Sequence, residues 1–112
     1  MKKTIYILFL LFSTYAFSQS LTGEDDYYND YQKVDKELNS VYNKLKNGLG
    51  IEDKKALVEA QKAWIKFRDL NCKFQSKDHG TIGPYENKVR LDCLIKTTLA
   101  RTKELENLIE GL

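Results

Sequence analysis

The sequence contains few of the residues that build catalytic and metal sites. It has a single histidine, His79, and only two cysteines, Cys72 and Cys93. Zinc needs three or four ligands, and pairing of the two cysteines would leave only His79 and Asp78 as neighbouring candidates. The histidine also lacks a serine or spare cysteine at a recognisable spacing, as nucleophilic catalysis would require. We therefore predict that the protein is not an enzyme and has no metal or cofactor site.

The sequence also lacks a hydrophobic run long enough to cross a bilayer. The apolar stretch from Ile5 to Phe12 is well short of the roughly 20 residues that a membrane helix needs. It follows Lys2 and Lys3 and precedes Ala16-Phe17-Ser18, a combination typical of a secretion signal. We predict removal of residues 1–18, with Gln19 as the new first residue. No cysteine stands there to accept a lipid, so we expect a periplasmic or secreted product without a membrane anchor.

Net charge disappears once the predicted signal is removed. The whole chain has 18 Lys and Arg residues against 16 Asp and Glu residues. Lys2 and Lys3 belong to the signal, so 18 minus 2 leaves 16 basic residues against the same 16 acidic ones. A balanced charge gives no support for nucleic-acid binding. Roughly 94 residues remain, which is enough for one domain with a small core.

The two cysteines predict one disulfide. A small domain outside the cytoplasm commonly depends on such a bond, and Cys72 and Cys93 allow only one pairing. Closing a loop of about 20 residues stabilises a fold by roughly 3 kcal/mol in the chain-entropy model. The alternative is two separate buried thiols.

Apolar periodicity predicts three helices and no strand. The first begins near a capping pair, Thr22 and Asp25, and stops at Gly48-Leu49-Gly50. Its apolar stripe is Tyr31, Val34, Leu38, Val41 and Leu45.

The second helix runs from Glu52 to about Gln75, and its predicted stripe is Leu57, Ala60, Trp64, Phe67 and Phe74, with Ala63 and Leu70 beside it. A loop from Ser76 to Gly83 leads to Pro84 in the first turn of the third helix. That helix ends near Gly111 and carries Val89, Leu94, Leu105, Leu108 and Ile109.

These elements predict an all-α fold. The bond between Cys72 and Cys93 would lock the second and third helices into an antiparallel hairpin, and the first helix would pack along that hairpin.

A set of motifs at fixed spacing extends over most of the chain. Its members are Leu38-Asn39, Tyr42, Leu45, the run from Gln61 to Asp69 with Cys72, Gly80-Thr81-Ile82, Cys93-Leu94, Thr98, Arg101 and Leu105. The central pattern is Gln-x-Ala-Trp-x-x-Phe-Arg-Asp-x-x-Cys. With these motifs the chain resembles the LprI-like N-terminal domain family, named after a lysozyme-inhibiting bacterial lipoprotein. The resemblance implies an exported helical domain and lysozyme inhibition.

The chain departs from the naming protein of that family in two respects. It lacks the lipid-acceptor cysteine, and it ends soon after Arg101, so no further domain is expected. Because function depends on sites and not on folds, the family implies the fold more firmly than the activity.

The motif residues have structural interpretations. Trp64 and Phe67 are predicted as core anchors, with ligand stacking as the alternative. Arg68 and Asp69 lie beside that stripe, and Arg101 lies at a similar level on the third helix. Because a guanidinium needs carboxylates or carbonyls for its donors, we expect a polar contact between helices. The alternative is a hot spot for a binding partner.

Two stretches are candidates for contact with a partner. The first contains Glu24, Asp25, Asp26 and Tyr27, and it combines negative charge with aromatic side chains that suit a cationic lysozyme. Its alternative interpretation is a solvated first helical turn. The second is the loop with Lys77, His79 and Tyr85, in which Lys77 or His79 would face the two catalytic acids of a lysozyme. Its alternative is a plain connector.

The predicted function is therefore that of an exported lysozyme inhibitor. The alternative is a non-enzymatic structural or scaffold module of the cell envelope that binds another protein.

Overall fold

The computed structural model of the protein describes residues 24–77 and 84–112. They form three helices, α1 (Glu24–Asn47), α2 (Ile51–Lys77) and α3 (Pro84–Glu110). These described residues contain no strand, and the predicted all-α class is confirmed. The predicted signal peptide and Thr22 lie outside them.

Backbone hydrogen bonds close α1 and open α2 across a short turn. The N–H of Gly48 donates to the carbonyl of Leu45 at 3.0 Å, and the N–H of Lys54 donates to the carbonyl of Gly50 at 2.9 Å. Gly50 therefore caps α2. A Cβ at Gly48 would lie 3.1 Å from Cδ1 of Leu112, so the last residue of the chain packs closely beside this turn.

α3 lies between the other two helices. It packs against both, whereas α1 and α2 contact each other little. α1 runs parallel to α3, because Tyr31 packs against the cluster that contains Leu94 while Leu45 packs in the cluster that contains Leu105. The first helix therefore packs along the hairpin through α3.

The disulfide between Cys72 and Cys93 holds α2 antiparallel to α3. The two Cα atoms are 5.5 Å apart, and the side chain of Cys72 is fully buried. The hydroxyl of Thr97 lies 3.9 Å from the sulfur of Cys72 and 4.0 Å from that of Cys93. The predicted pairing and the predicted antiparallel hairpin are both confirmed.

Two hydrophobic clusters make up the core. We call the end with residues 48–50 the turn end, and its cluster is formed by Leu38, Leu45, Leu57 and Leu105. The opposite, disulfide end holds Cys72, Leu91, Cys93 and Leu94. Buried polar side chains also belong to the interior, and they are Gln61, Arg68, Ser76, Thr98 and Thr102.

Most residues of the stripe predicted for α2 are exposed, so the predicted core face of this helix is wrong. Phe67 is 62% exposed, Leu70 58% and Phe74 66%, and Ala60 and Ala63 are exposed as well. The reason is the position of Cys72, which must face α3. At about 100° of rotation per residue, Phe74 points roughly 160° away from Cys72 and Phe67 roughly 140° away.

The apolar residues predicted for α1 and α3 agree better with the buried residues of the structure. Leu38 and Leu45 of α1 are buried, as are Leu94 and Leu105 of α3. Leu108, another apolar residue of the α3 pattern, is 55% exposed and lies outside the core.

Replacement of both cysteines, Cys72→Ser with Cys93→Ser, should lower the free energy of unfolding by roughly 3 kcal/mol, because the unfolded chain regains the freedom of an unclosed loop. Urea titration followed by circular dichroism measures this change. The parent protein in reductant, with an unchanged sequence, should lose a comparable amount. Equal midpoints for variant and parent would show that the bond does not stabilise the fold.

Candidate protein-binding site at the disulfide end

The course of the helices brings three helix ends to one end of the domain. α1 and α3 begin there, and α2 finishes there, close to the disulfide. The two stretches predicted to contact a partner belong to these ends. Their described residues therefore lie at the same end of the molecule.

Arg68 is the polar centre at which the helices meet. Its side chain is only 6% exposed. Nη1 donates to Oδ1 of Asp35 on α1 at 3.2 Å and to Oγ1 of Thr98 on α3 at 3.3 Å. Nε donates to Oδ1 of Asp69 at 2.9 Å. One guanidinium thus links all three helices, including the pair that otherwise contact little.

Trp64 joins Arg68 to a second arginine. The guanidinium carbons of Arg68 and Arg101 lie 5.2 Å and 5.7 Å from the centre of the indole ring, within the range of cation–π attraction. Nε of Arg101 donates to Oε1 of Gln61 at 3.1 Å, and Nη1 donates to Glu104 at 3.0 Å. The half-buried Trp64 therefore packs against polar groups as well as against the turn-end cluster. We call Gln61, Trp64, Arg68, Thr98 and Arg101 the arginine layer.

Tyr31 connects the arginine layer to the surface. Its ring centre lies 5.7 Å from the guanidinium of Arg68. Burial raises the pKa of the Tyr31 hydroxyl above its ordinary value, and the negative charge of Asp35 adds to this, although Arg68 opposes it. Burial also acts on Arg68, where it lowers the pKa of the guanidinium. The hydrogen bond with Asp69 and the neighbouring charged groups outweigh burial, so the pKa of Arg68 is raised. Arg68 therefore stays charged.

A groove of about 560 Å³ opens at the disulfide end. Its lining residues are Tyr31 from α1, Asp69, Leu70, Lys73 and Ser76 from α2, and Asn87, Arg90 and Leu94 from α3. The groove exists because α1 and α2 stand apart on either side of α3. Charges of both signs stand beside two leucines, a mixed lining that suits side chains of a protein better than a single small ligand.

The beginning of α1 presents acids and tyrosines to solvent. Tyr27 is 37% exposed and Tyr28 52%, and Asp26 and Asp30 are exposed beside them. Neither aspartate forms an ion pair with another residue that the structure describes. Their negative charge is therefore open to a partner.

The other residues predicted for partner contact divide between described and undescribed parts of the chain. Glu24 and Asp25 belong to the first turn of α1, and Tyr85 belongs to the first turn of α3. Lys77 is the last residue of α2 and is exposed. His79 lies outside the described residues. Phe67, predicted as a core anchor, instead points to solvent.

Sequence reasoning missed the partners of the two arginines. Asp35 is 33 positions from Arg68, and a contact over that distance leaves no local pattern. Gln61 does have a signal, because it stands 11 residues before Cys72, which is three helical turns on the same face. If the position of Cys72 is used to define the buried face of α2, both Gln61 and Arg68 are predicted to point inward.

Residues 24–77 and 84–112 contain neither a cluster of metal ligands nor a membrane-spanning helix. Within these ranges no three His, Cys, Asp or Glu residues are placed to hold a metal ion. No helix of the same ranges combines the length and the apolar character that a bilayer crossing requires.

The geometry defines a class of protein, a small three-helix domain closed by one disulfide around a buried arginine layer. A family model described as "Lysozyme inhibitor LprI" matches residues 18–105. The chain is also 32% identical to an uncharacterized protein of Rhizobium meliloti (strain 1021), over 73% of this chain and 68% of that relative. The protein therefore belongs to the lysozyme inhibitor LprI family. No solved structure matches the chain.

Arg68→Ala should lower the free energy of unfolding by about 3 kcal/mol, because it removes the group that links three helices and leaves Thr98 and Asp35 without their donor. Chemical denaturation measures the change. Arg90→Ala, which removes an exposed arginine of α3, is the matched control and should change stability by no more than about 0.5 kcal/mol. Equal losses in the two variants would contradict a central role for Arg68.

Alkaline pH should destabilise the fold partly through Tyr31. Because its pKa is higher in the folded protein, the stabilising contribution is complete below about pH 10 and is lost as pH rises through the folded-state pKa. Tyr31→Phe should therefore lose less stability than the parent as pH rises above about 10, as measured by urea midpoints. Tyr28→Phe, at an exposed tyrosine of the same helix, should follow the parent. A Tyr31→Phe curve parallel to that of the parent would refute this linkage.

Proposed function

We propose that this protein binds and inhibits a lysozyme in the cell envelope or outside the cell. The observation that carries the proposal is the match of the lysozyme inhibitor LprI family to residues 18–105. A family of inhibitors acts by binding an enzyme, which is consistent with a chain that itself has no catalytic set recognisable from sequence.

An extracytoplasmic location is supported by the covalent structure. Disulfides persist in oxidising compartments, and the bond between Cys72 and Cys93 connects the two helices of the hairpin. The sequence of residues 1–18 has the composition of a secretion signal.

The beginning of α1 is the proposed docking surface. Asp26 and Asp30 are four residues apart, so they lie on the same side of the helix. Lysozymes of the common animal type are strongly cationic, and unpaired carboxylates would speed encounter with them. Tyr27 and Tyr28 would then supply contact area at a low cost in side-chain entropy.

The groove beside α1 extends this surface. Tyr31 lines it and at the same time packs on Arg68, so the arginine layer fixes the wall of the groove. A surface whose shape is fixed before binding loses less conformational freedom on association. The proposed site therefore comprises the exposed start of α1 and the groove.

The second candidate function, a scaffold module that binds another protein, has one observation in its favour. Phe67, Leu70 and Phe74 form an exposed apolar surface on α2, which meets the groove at Leu70.

A lysozyme activity assay on suspended cell walls tests the proposal. The purified protein should inhibit an animal-type lysozyme at micromolar concentration. Asp26→Lys with Asp30→Lys should slow association about tenfold at low salt, because attraction to the cationic enzyme becomes repulsion. Glu106→Lys with Glu110→Lys makes the same change in net charge near the end of α3 and serves as the matched control.

Two results would count against the proposal. Lack of inhibition of animal-type, goose-type and phage-type lysozymes at micromolar concentration would exclude inhibitor function and leave the scaffold alternative. If the α1 variant and its α3 control slow association equally, the effect reflects net charge alone. The start of α1 would then not be part of the docking surface.

A further inference from the structure

An unpartnered row of apolar side chains runs along α2. We call it the α2 stripe, and its members are Ala56, Ala60, Ala63, Phe67, Leu70 and Phe74. All six are exposed, and the three large ones are each more than half exposed. The spacing alternates between four and three residues, so the side chains line one face over about 27 Å.

The α2 stripe is distinct from the core. The face of α2 that packs inward carries Leu57, Gln61, Arg68, Cys72 and Ser76. No residue that the structure describes covers the stripe. Apolar residues scattered over a surface are ordinary, but a contiguous row is typical of an interaction site. The alternating four-three spacing is that of a seam at which two helices pair.

Lysines follow one border of the α2 stripe beside its three large apolar residues, and farther along the same border Glu59 pairs with Lys62 at 3.6 Å. Lys66, Lys73 and Lys77 are exposed, and none forms an ion pair with another described residue. The opposite border carries Asn71 and Gln75, which are uncharged. The edge of the apolar row is therefore cationic beside the two phenylalanines.

This charge decides between two possible occupants. A symmetric antiparallel pair that brings the large side chains of both copies together is centred near Leu70, and in it Lys66 of one copy would approach Lys73 of the other. Like charges brought together in this way disfavour self-association. A helix whose apolar face is flanked by Asp or Glu would instead meet opposite charge.

We propose that the α2 stripe binds an amphipathic helix of another protein, with acidic residues beside its apolar face. Phe67, Leu70 and Phe74 insert between side chains of that helix, and Ala56, Ala60 and Ala63 allow its backbone to approach closely. Lys66, Lys73 and Lys77 select the acidic flank. This mode is the pairing of two amphipathic helices along an apolar seam with charged residues beside it.

The α2 stripe adjoins the groove of the proposed lysozyme site at Leu70 and Lys73, whereas Phe67 and Phe74 lie outside the lining of that groove. α1 and α2 lie on different sides of α3 and contact each other little. The inference rests on the exposed face of α2 and not on the family match, so it does not depend on the inhibitor proposal, and either can fail alone.

Fluorescence anisotropy with synthetic helical peptides tests the inference. The probe is a labelled three-heptad peptide with Leu at the paired seam positions and Glu beside them. Its controls are a peptide with Lys in place of Glu and a peptide of the same composition with the leucines out of register. The acidic amphipathic peptide should bind the purified protein with a dissociation constant on the order of micromolar, and both controls should bind at least about tenfold more weakly.

Variants of the protein locate the binding surface. Phe67→Ser with Phe74→Ser should weaken binding at least about tenfold, whereas Leu99→Ser with Leu108→Ser, at exposed leucines of α3, should not. Lys66→Glu with Lys73→Glu should reverse the preference between the acidic and basic peptides. Lys36→Glu with Lys103→Glu, which changes the net charge equally, should leave that preference in place. Because all these side chains are exposed, circular dichroism should show unchanged helix content.

Three outcomes would overturn the inference. The first is that the acidic peptide does not bind even at millimolar concentration. The second is that the stripe variant and its α3 control bind the peptide equally well. The third is that the protein sediments as a dimer and that Phe67→Ser with Phe74→Ser converts this dimer to monomers. The last result would assign the α2 stripe to a second copy of the chain.

Discussion

The bond between Cys72 and Cys93 fixes the rotation of α2 about its own axis, and the other features of that helix follow from this rotation. With Cys72 facing α3, Gln61 and Arg68 also point inward, and Phe67 and Phe74 point outward. A covalent link between helices therefore overrides the preference of the more apolar face for burial. The interior gains an arginine, and the surface gains an apolar row.

A buried arginine is costly to desolvate, and such a group stabilises a fold only when its donors are satisfied. Here Arg68 has carboxylate, hydroxyl and aromatic neighbours from all three helices. Its fixed donor geometry requires Asp35 and Thr98 to stand at particular places, so it selects one relative placement of α1 and α3. Two leucine-rich clusters on their own would tolerate several placements of the same helices.

Sequence reasoning predicted the helices and their order because apolar periodicity and turn residues are local signals. It was right for α1, which has one clear stripe around Leu38 and Leu45. It was wrong for α2, because that helix carries two faces and the more hydrophobic one is not the buried one. It predicted that Arg68 and Arg101 take part in contacts between helices. Their partners, Asp35 and Gln61, depend on how helices far apart in sequence are placed, and no local pattern specifies that.

Trp64 is the only tryptophan of the chain, and it touches the guanidinium groups of both interior arginines. The tryptophan fluorescence of the protein therefore originates within the arginine layer. Emission from an indole depends on nearby charge and on access of water. The molecule thus contains its own optical reporter, and any event that separates or rotates the three helices at that level changes a signal that needs no added dye.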